Sequence, residues 1–342
     1  MSELLDRFVC VRAVEMEGVD LSLFQFDYDM TWLAFFCNAD RTIYGRYGTR
    51  ASAGADTGVD VSVAGFERAL EGALEVHAGY PANRASLAGK VGPKPPATEI
   101  RSFPIFKSRF AEPPPRGCAH CHHVWEALRS VPRDARKPVP DELLWIYPKP
   151  DRLGLVLALD EMATVRSVTA GSAAAKAGFQ AGDRIATLDG QPMISIADVQ
   201  WVLQHAATPG DLAAEVERGK GRERLTLHLA EGWRRGEDIS WRTSTRVLRP
   251  FGWEPATAEQ RKAAGAKDGE LCVRVRGFPA LGVAKRADMA VGDLVVEIDG
   301  NPAAINENEW LAYLFQKKVR GEPVWLTLVR DGKRMKLKLL AP

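Results

Sequence analysis

Ala177-Gly178-Phe179-Gln180-Ala181-Gly182-Asp183-Arg184-Ile185 runs on to Leu188-Asp189-Gly190, and the chain then does the same thing again. The second copy is Ala287-Asp288-Met289-Ala290-Val291-Gly292-Asp293-Leu294-Val295, followed by Ile298-Asp299-Gly300. Asp183 and Asp293 are 110 residues apart, as are Asp189 and Asp299. Each copy leads to a helical stretch (Ile196 to His205; Glu307 to Phe315) and a Gly-acid turn (Gly210-Asp211; Gly321-Glu322). An alternating strand closes each one (Leu225 to Leu229; Met335 to Leu339). Self-similarity on this scale reports a duplicated folding unit. The repeated aspartates read as turn residues, because Gly-Asp and Asp-Gly punctuate chains far more often than they catalyse.

These residues resemble the bacterial PDZ domain, as found behind periplasmic serine proteases. The resemblance implies peptide binding: a glycine-containing loop offers amides to a peptide carboxylate, and the peptide adds as a strand beside a helix. Leu153-Gly154-Leu155-Val156 matches that loop, and Val199 and Leu203 on the flanking helix would shape an apolar pocket. The expected partners are protein C-termini or extended peptides on the first PDZ-like unit. The second unit shows the polar Lys267-Asp268-Gly269-Glu270 before its strand, which predicts a scaffold or weak binder.

Composition narrows the remaining classes. A formal charge of +2 over 342 residues gives no basic field for nucleic acid or an anionic membrane. No apolar run approaches the ~18 residues that span a bilayer. Met1 to Arg7 carries acids and no apolar core, so it is not a signal peptide, and the chain as written would stay in the cytoplasm. No Gly-x-Ser-x-Gly, P-loop or His-Glu-x-x-His occurs, so the chain as written carries no enzyme signature.

Residues 1–85 form the first unit. Arg7 to Val14 and Thr31 to Cys37 read as buried strands, Thr42 to Tyr47 as a returning strand, and Val63 to His77 as an amphipathic helix. Cys10, Cys37 and Cys272 read as buried thiols in such runs. Strand, excursion, strand, turn, strand and helix, with Asp29 to Phe36, Asn38-Ala39-Asp40 and Gly48, resemble the second half of a thioredoxin fold. Met30 stands where that family has its cis-proline, and the redox pair upstream is missing. With the motif described next, the arrangement resembles bacterial thioredoxin-like/PDZ proteins, some carrying selenocysteine. That resemblance implies an extracytoplasmic protein whose reading frame has been started late, at Met1, or else a degenerate domain that kept only its scaffold. A longer form would be a candidate thiol-disulfide oxidoreductase.

Residues 86–151 read as a proline-rich linker bearing a helix over 118–130. Its start, Gly117-Cys118-Ala119-His120-Cys121-His122-His123-Val124-Trp125, places Cys118, Cys121, His122 and Trp125 on one helical face. Four readings stay open. C-x-x-C-H is the attachment pattern of c-type haem, with His122 on iron and Met162 or His77 as distal ligands. Cys118 and Cys121 could be a redox pair, since a helix N-terminus favours a thiolate. They could be half a zinc site completed by His122, His123 or His77. Or the thiols could pack against Trp125.

The expected fold is multidomain α/β plus α+β: a partial thioredoxin-like unit, then two PDZ-like β-sandwich or barrel domains at 152–231 and 270–342. The segment 232–269 between them has no legible role. The expected function is an extracytoplasmic thiol-redox adaptor that holds partners through PDZ units. The alternatives are a haem-bearing electron-transfer protein with PDZ scaffolding and a purely peptide-binding scaffold.

Overall fold

The computed structural model describes residues 1–30, 32–48, 61–109, 119–246, 249–279 and 288–342. The chain divides into two compact units, whose bounds differ from those expected. One joins Met1–Ala127 to Trp145–Glu237, and the other joins Leu128–Leu144 to Asp238–Pro342. The protein is a multidomain α/β chain with PDZ-like sheets.

In the first unit, β1 (Ala34–Cys37) and β2 (Ile43–Tyr47) form an antiparallel hairpin. The Val63–Ala78 helix packs on it, capped by Ser62, whose hydroxyl accepts from the Gly65 amide and donates to the Leu159 carbonyl. The PDZ-like part follows: β3 (Leu155–Leu157) with β4 (Val165–Val168), then β5 (Arg184–Leu188), β6 (Gln191–Pro192), β7 (Gly210–Arg218) and β8 (Gly221–Leu229) in the order β6-β5-β7-β8. The Ile196–His205 helix crosses between β6 and β7.

The two parts share one core. Phe36, Tyr44, Tyr47, Leu70 and Leu87 cluster with Ile194, which sits just before the PDZ-like helix. A methyl group on Gly45 would stand 2.4 Å from Ile194 Cδ1, so only glycine lets β2 approach this closely. Lys90 and Asp198, both 0 % exposed, form a 2.8 Å ion pair across the same seam. The proline-rich stretch is therefore no free linker. Ile100 and Phe103 are buried, and the Gln25 amide donates to the Pro93 carbonyl.

Arg7 to Val14 departs from the expected buried strand. It is irregular, with Val9 95 %, Val11 89 % and Val14 78 % exposed. Its apolar composition finds no neighbouring strand among the described residues, and a strand without a ladder partner leaves its amides to water. Cys10 is accordingly exposed rather than buried, Cys37 at the end of β1 is exposed as well, and Cys272 is buried as expected.

The second unit holds one sheet, ordered β13-β12-β11-β10-β9. It comprises β9 (Gly252–Pro255), β10 (Val273–Gly277), β11 (Leu294–Ile298), β12 (Pro323–Arg330) and β13 (Lys333–Leu340). β9, which lies in the segment without a legible role, pairs antiparallel with β10 as β3 pairs with β4. The duplicated aspartates do the same work in both units. Arg218 donates Nε and Nη2 to the two oxygens of Asp183 at 2.8 Å, and Arg330 repeats this fork on Asp293 at 2.6 and 2.7 Å. Asp183 also accepts from the Gln180 amide, and Asp293 from the Ala290 amide. Asp189 and Asp299 take positive φ in the following turns.

Two outcomes are expected. Lys90→Met strands a buried carboxylate and should cost about 3–5 kcal/mol in urea unfolding. Adding Asp198→Asn should recover part of that loss, and a double variant no better than the single one would contradict the pairing. Burial raises the Asp183 carboxyl, but the Arg218 fork and the Gln180 amide outweigh it and hold the group below its usual range. A carboxyl lowered on folding stabilises above its unfolded pKa and loses that stabilisation as pH falls through its folded value. Asp183→Asn should cost about 2 kcal/mol at neutral pH and flatten the acid limb of the stability–pH curve.

Candidate functional site

Two places carry the residues singled out by sequence. The first is the start of the His122–Asp134 helix. Cys118 lies outside the described residues, and the helix begins at His122 rather than Cys118, so Cys121 sits in the preceding turn. The amides of His123 and Val124 donate to the carbonyls of His120 and Cys121, which winds the chain into its first turn. Trp125 anchors that turn. It is buried, donates Nε1 to Asp27 at 3.4 Å and meets the rings of Tyr28 and Tyr147 edge-on.

With Trp125 fixed inward, the polar side chains converge. His122 Nδ1 stands 2.9 Å from Glu126 Oε1, one helical turn on, and Glu126 is buried. The His123 ring lies 4.3 Å from that of His122, and the His120 ring stacks parallel to His122 at 5.7 Å. The backbone N–H of His120 donates to His123 Nδ1 at 3.2 Å. His122, His123 and Glu126 bring one donor atom each within 4.8 Å of the others. Glu126 was not picked out from sequence, although its i,i+4 spacing from His122 was there to be read.

This setting does not suit c-type haem. A porphyrin needs apolar walls, and His122 is flanked instead by two imidazoles and a carboxylate. The proposed distal ligands are engaged elsewhere: His77 Nδ1 lies 2.9 Å from the Tyr44 hydroxyl, and Met162 sulfur accepts from Arg184. Cys121 is half-buried, and that burial raises its thiol above the usual cysteine range. A redox-poised thiolate needs a shift in the other direction.

The second place is the PDZ-like loop, strand and helix of the first unit. Pro150–Leu153 turns into Gly154 at φ +85°, a left-handed conformation in which a Cβ would strike Ser172 Oγ at 2.1 Å. Leu153, Gly154, Leu155, Val199 and Leu203 are all buried, and Val156 is half-buried. β3 belongs to a two-stranded sheet, so one of its edges has no ladder partner among the described residues. The helix is fixed at its start by Ser195, which accepts from the Ala197 amide and donates to the Arg46 carbonyl. Gln200 donates to the Tyr147 carbonyl at 3.0 Å and Gln204 accepts its amide at 2.6 Å, steadying the chain that leads into the loop. Sequence reading missed these glutamines.

The second unit also sets an edge strand near a helix, in a segment to which sequence reading gave no role, but without a left-handed glycine ahead of the strand. Phe251-Gly252-Trp253 leads into β9, an edge strand, near the Glu307–Ala312 helix. Trp310 of that helix is 1 % exposed and packs against Phe251, Trp253 and Tyr313, with ring centroids 5.9 to 6.1 Å away. A separate cavity of about 900 Å³ in the first unit lies among Met1, Leu4, Glu67, Glu71, Asp160 and Arg184, away from both places. Among the described residues, no helix is long and apolar enough to cross a membrane.

Comparison with known proteins agrees with a PDZ domain in the first unit. Residues 164–218 match the PDZ domain family. A probable periplasmic serine endoprotease DegP-like of Pseudomonas savastanoi pv. phaseolicola (strain 1448A / Race 6) is 27 % identical over 177 residues. That match covers 50 % of this chain and 36 % of the relative, so the chain spans little more than a third of the relative's length. Among solved structures, a variant of the HtrA-type protease AlgW with a decapeptide gives a TM-score of 0.24 at 14 % identity, covering 38 % of this chain and 41 % of that one. AlgW with a tripeptide gives 0.23 at 20 % identity, covering 27 % and 31 %. The PDZ assignment rests on the sequence match, not on these low structural scores.

The thiol geometry predicts an order of alkylation. At neutral pH, iodoacetamide should modify exposed Cys10 well before half-buried, raised Cys121, as read by peptide mass spectrometry. The Cys121 rate should climb about tenfold per pH unit as its thiolate forms. Cys121 reacting first would restore the redox reading.

Proposed function

We propose that this protein is a peptide-binding adaptor that captures protein C-termini or extended peptides on the first PDZ-like groove. The observation that carries this is the β3 edge that has no ladder partner among the described residues, directly behind the left-handed Gly154 turn and just ahead of the PDZ match at residues 164–218. A peptide adding to that edge would gain main-chain hydrogen bonds, and its carboxylate would meet the Leu153–Leu155 amides. Val156 would touch the peptide, while Val199 and Leu203 would form the apolar floor. On this reading the β1–β2 hairpin and the Val63–Ala78 helix, ordered as in the second half of a thioredoxin fold, act as a scaffold for the PDZ helix. The reading includes the periplasmic setting named for the DegP-like relative, and it assigns no redox step to Cys121.

A second reading places the capture in the other unit, at Phe251-Gly252-Trp253. It is favoured by Trp310, whose buried Nε1 has no hydrogen-bond partner among the described residues.

Fluorescence polarisation with peptides ending in an apolar residue tests both. The free-carboxylate forms should bind at least about tenfold more tightly than the same peptides amidated, a difference of about 1.4 kcal/mol. Val156→Asp should abolish that preference and Trp253→Ala should leave it intact. The reverse pattern would move the site to the second unit. Equal binding of acid and amide would sink C-terminal recognition.

A further inference from the structure

We propose that His122, His123 and Glu126 form a binding site for a divalent transition cation of the zinc class, independent of peptide capture. Their donor atoms already lie within 4.8 Å of one another, and one pair, His122 Nδ1 and Glu126 Oε1, stands at 2.9 Å. Zinc bonds of about 2.0–2.1 Å to nitrogen and 2.0–2.2 Å to oxygen place tetrahedral ligand atoms about 3.3 Å apart. Closing the set therefore takes side-chain rotation and no movement of the helix.

The donor chemistry selects the metal. Two imidazoles and a carboxylate suit zinc, cobalt, nickel or copper, whereas magnesium and calcium prefer oxygen ligands throughout. The position favours a cation as well. Glu126 is a buried carboxylate, and the two imidazoles beside it are half-buried, so the site is partly shielded from water yet reachable from it. The helix is held rigidly at this point, because Val124 and Trp125, between the ligands, are both buried. A three-ligand set leaves one coordination position for water or an incoming group. His120, whose ring lies 5.4 Å from His123, is near enough to reach that position after a rotamer change.

The test uses the full chain without an affinity tag, stripped by a chelator and titrated with cobalt(II). One cobalt per chain is expected, with visible ligand-field bands that zinc bleaches and a large excess of magnesium does not. His122→Ala with His123→Ala should weaken uptake at least about 100-fold, and Glu126→Gln about 10-fold or more. Two results overturn the proposal: no stoichiometric uptake by the unaltered chain, or undiminished affinity in the double variant. If circular dichroism shows that the variants do not fold, X-ray absorption of the zinc-loaded unaltered protein decides. Imidazole scattering from two ligands supports the site, and a sulfur-dominated or all-oxygen shell rejects it.

Discussion

The seam between the hairpin and the PDZ-like part of the first unit is built on one buried ion pair. Lys90 and Asp198 meet with no exposure to water, a placement that costs several kcal/mol per ion unless further hydrogen bonds compensate. They do so here. Asp198 accepts the Arg46 amide on one oxygen and the Ile194 amide on the other, and the Lys90 ammonium also reaches the Pro192 carbonyl. Burial still leaves Lys90 below the usual lysine range, with Asp198 opposing that shift. The Arg46 guanidinium completes the seam. It lies 3.7 Å over the Trp201 ring and donates to the carbonyls of Gln25 and Lys90. Three stretches of chain far apart in sequence, at Gln25, Arg46 and Lys90, thus meet at the start of the PDZ-like helix, eight of whose residues are buried.

The two units show how one fold tolerates different dressing. Both keep the aspartate–arginine fork and the positive-φ turn that follows, the parts that set strand directions. They differ in what meets the helix. In the first unit the helix offers glutamines to a neighbouring backbone. In the second it offers Trp310 to an aromatic cluster, and its end relaxes into the wider π turn over Tyr313–Lys317.

The duplication was legible because glycines and aspartates that hold left-handed turns cannot easily be replaced, and so keep their spacing. The fork was not legible, since Arg218 lies 35 residues from Asp183 and nothing local marks it as a partner. The loop of the second unit escaped notice for a related reason. The Ala258–Ala264 helix stands between β9 and β10, and this insertion breaks the 110-residue offset on that side. Arg7 to Val14 misled in the opposite way: valine spacing reports that a segment could join a sheet, not that a neighbour exists to receive it. At the histidine cluster the sequence supplied the ligand types, but their convergence depended on Trp125 turning inward, which only packing decides.

The Gly45–Ile194 contact has an evolutionary reading. PDZ domains can recombine as modules because a domain with its own core folds wherever it is placed. Here recombination would excise the region matching that family together with an aspartate whose counter-ion stays behind, and with an isoleucine shaped to a glycine in another segment. This copy has given up its portability. Its lineage is expected to change the two parts together, with substitutions at positions 45, 90, 194 and 198 inherited as a set.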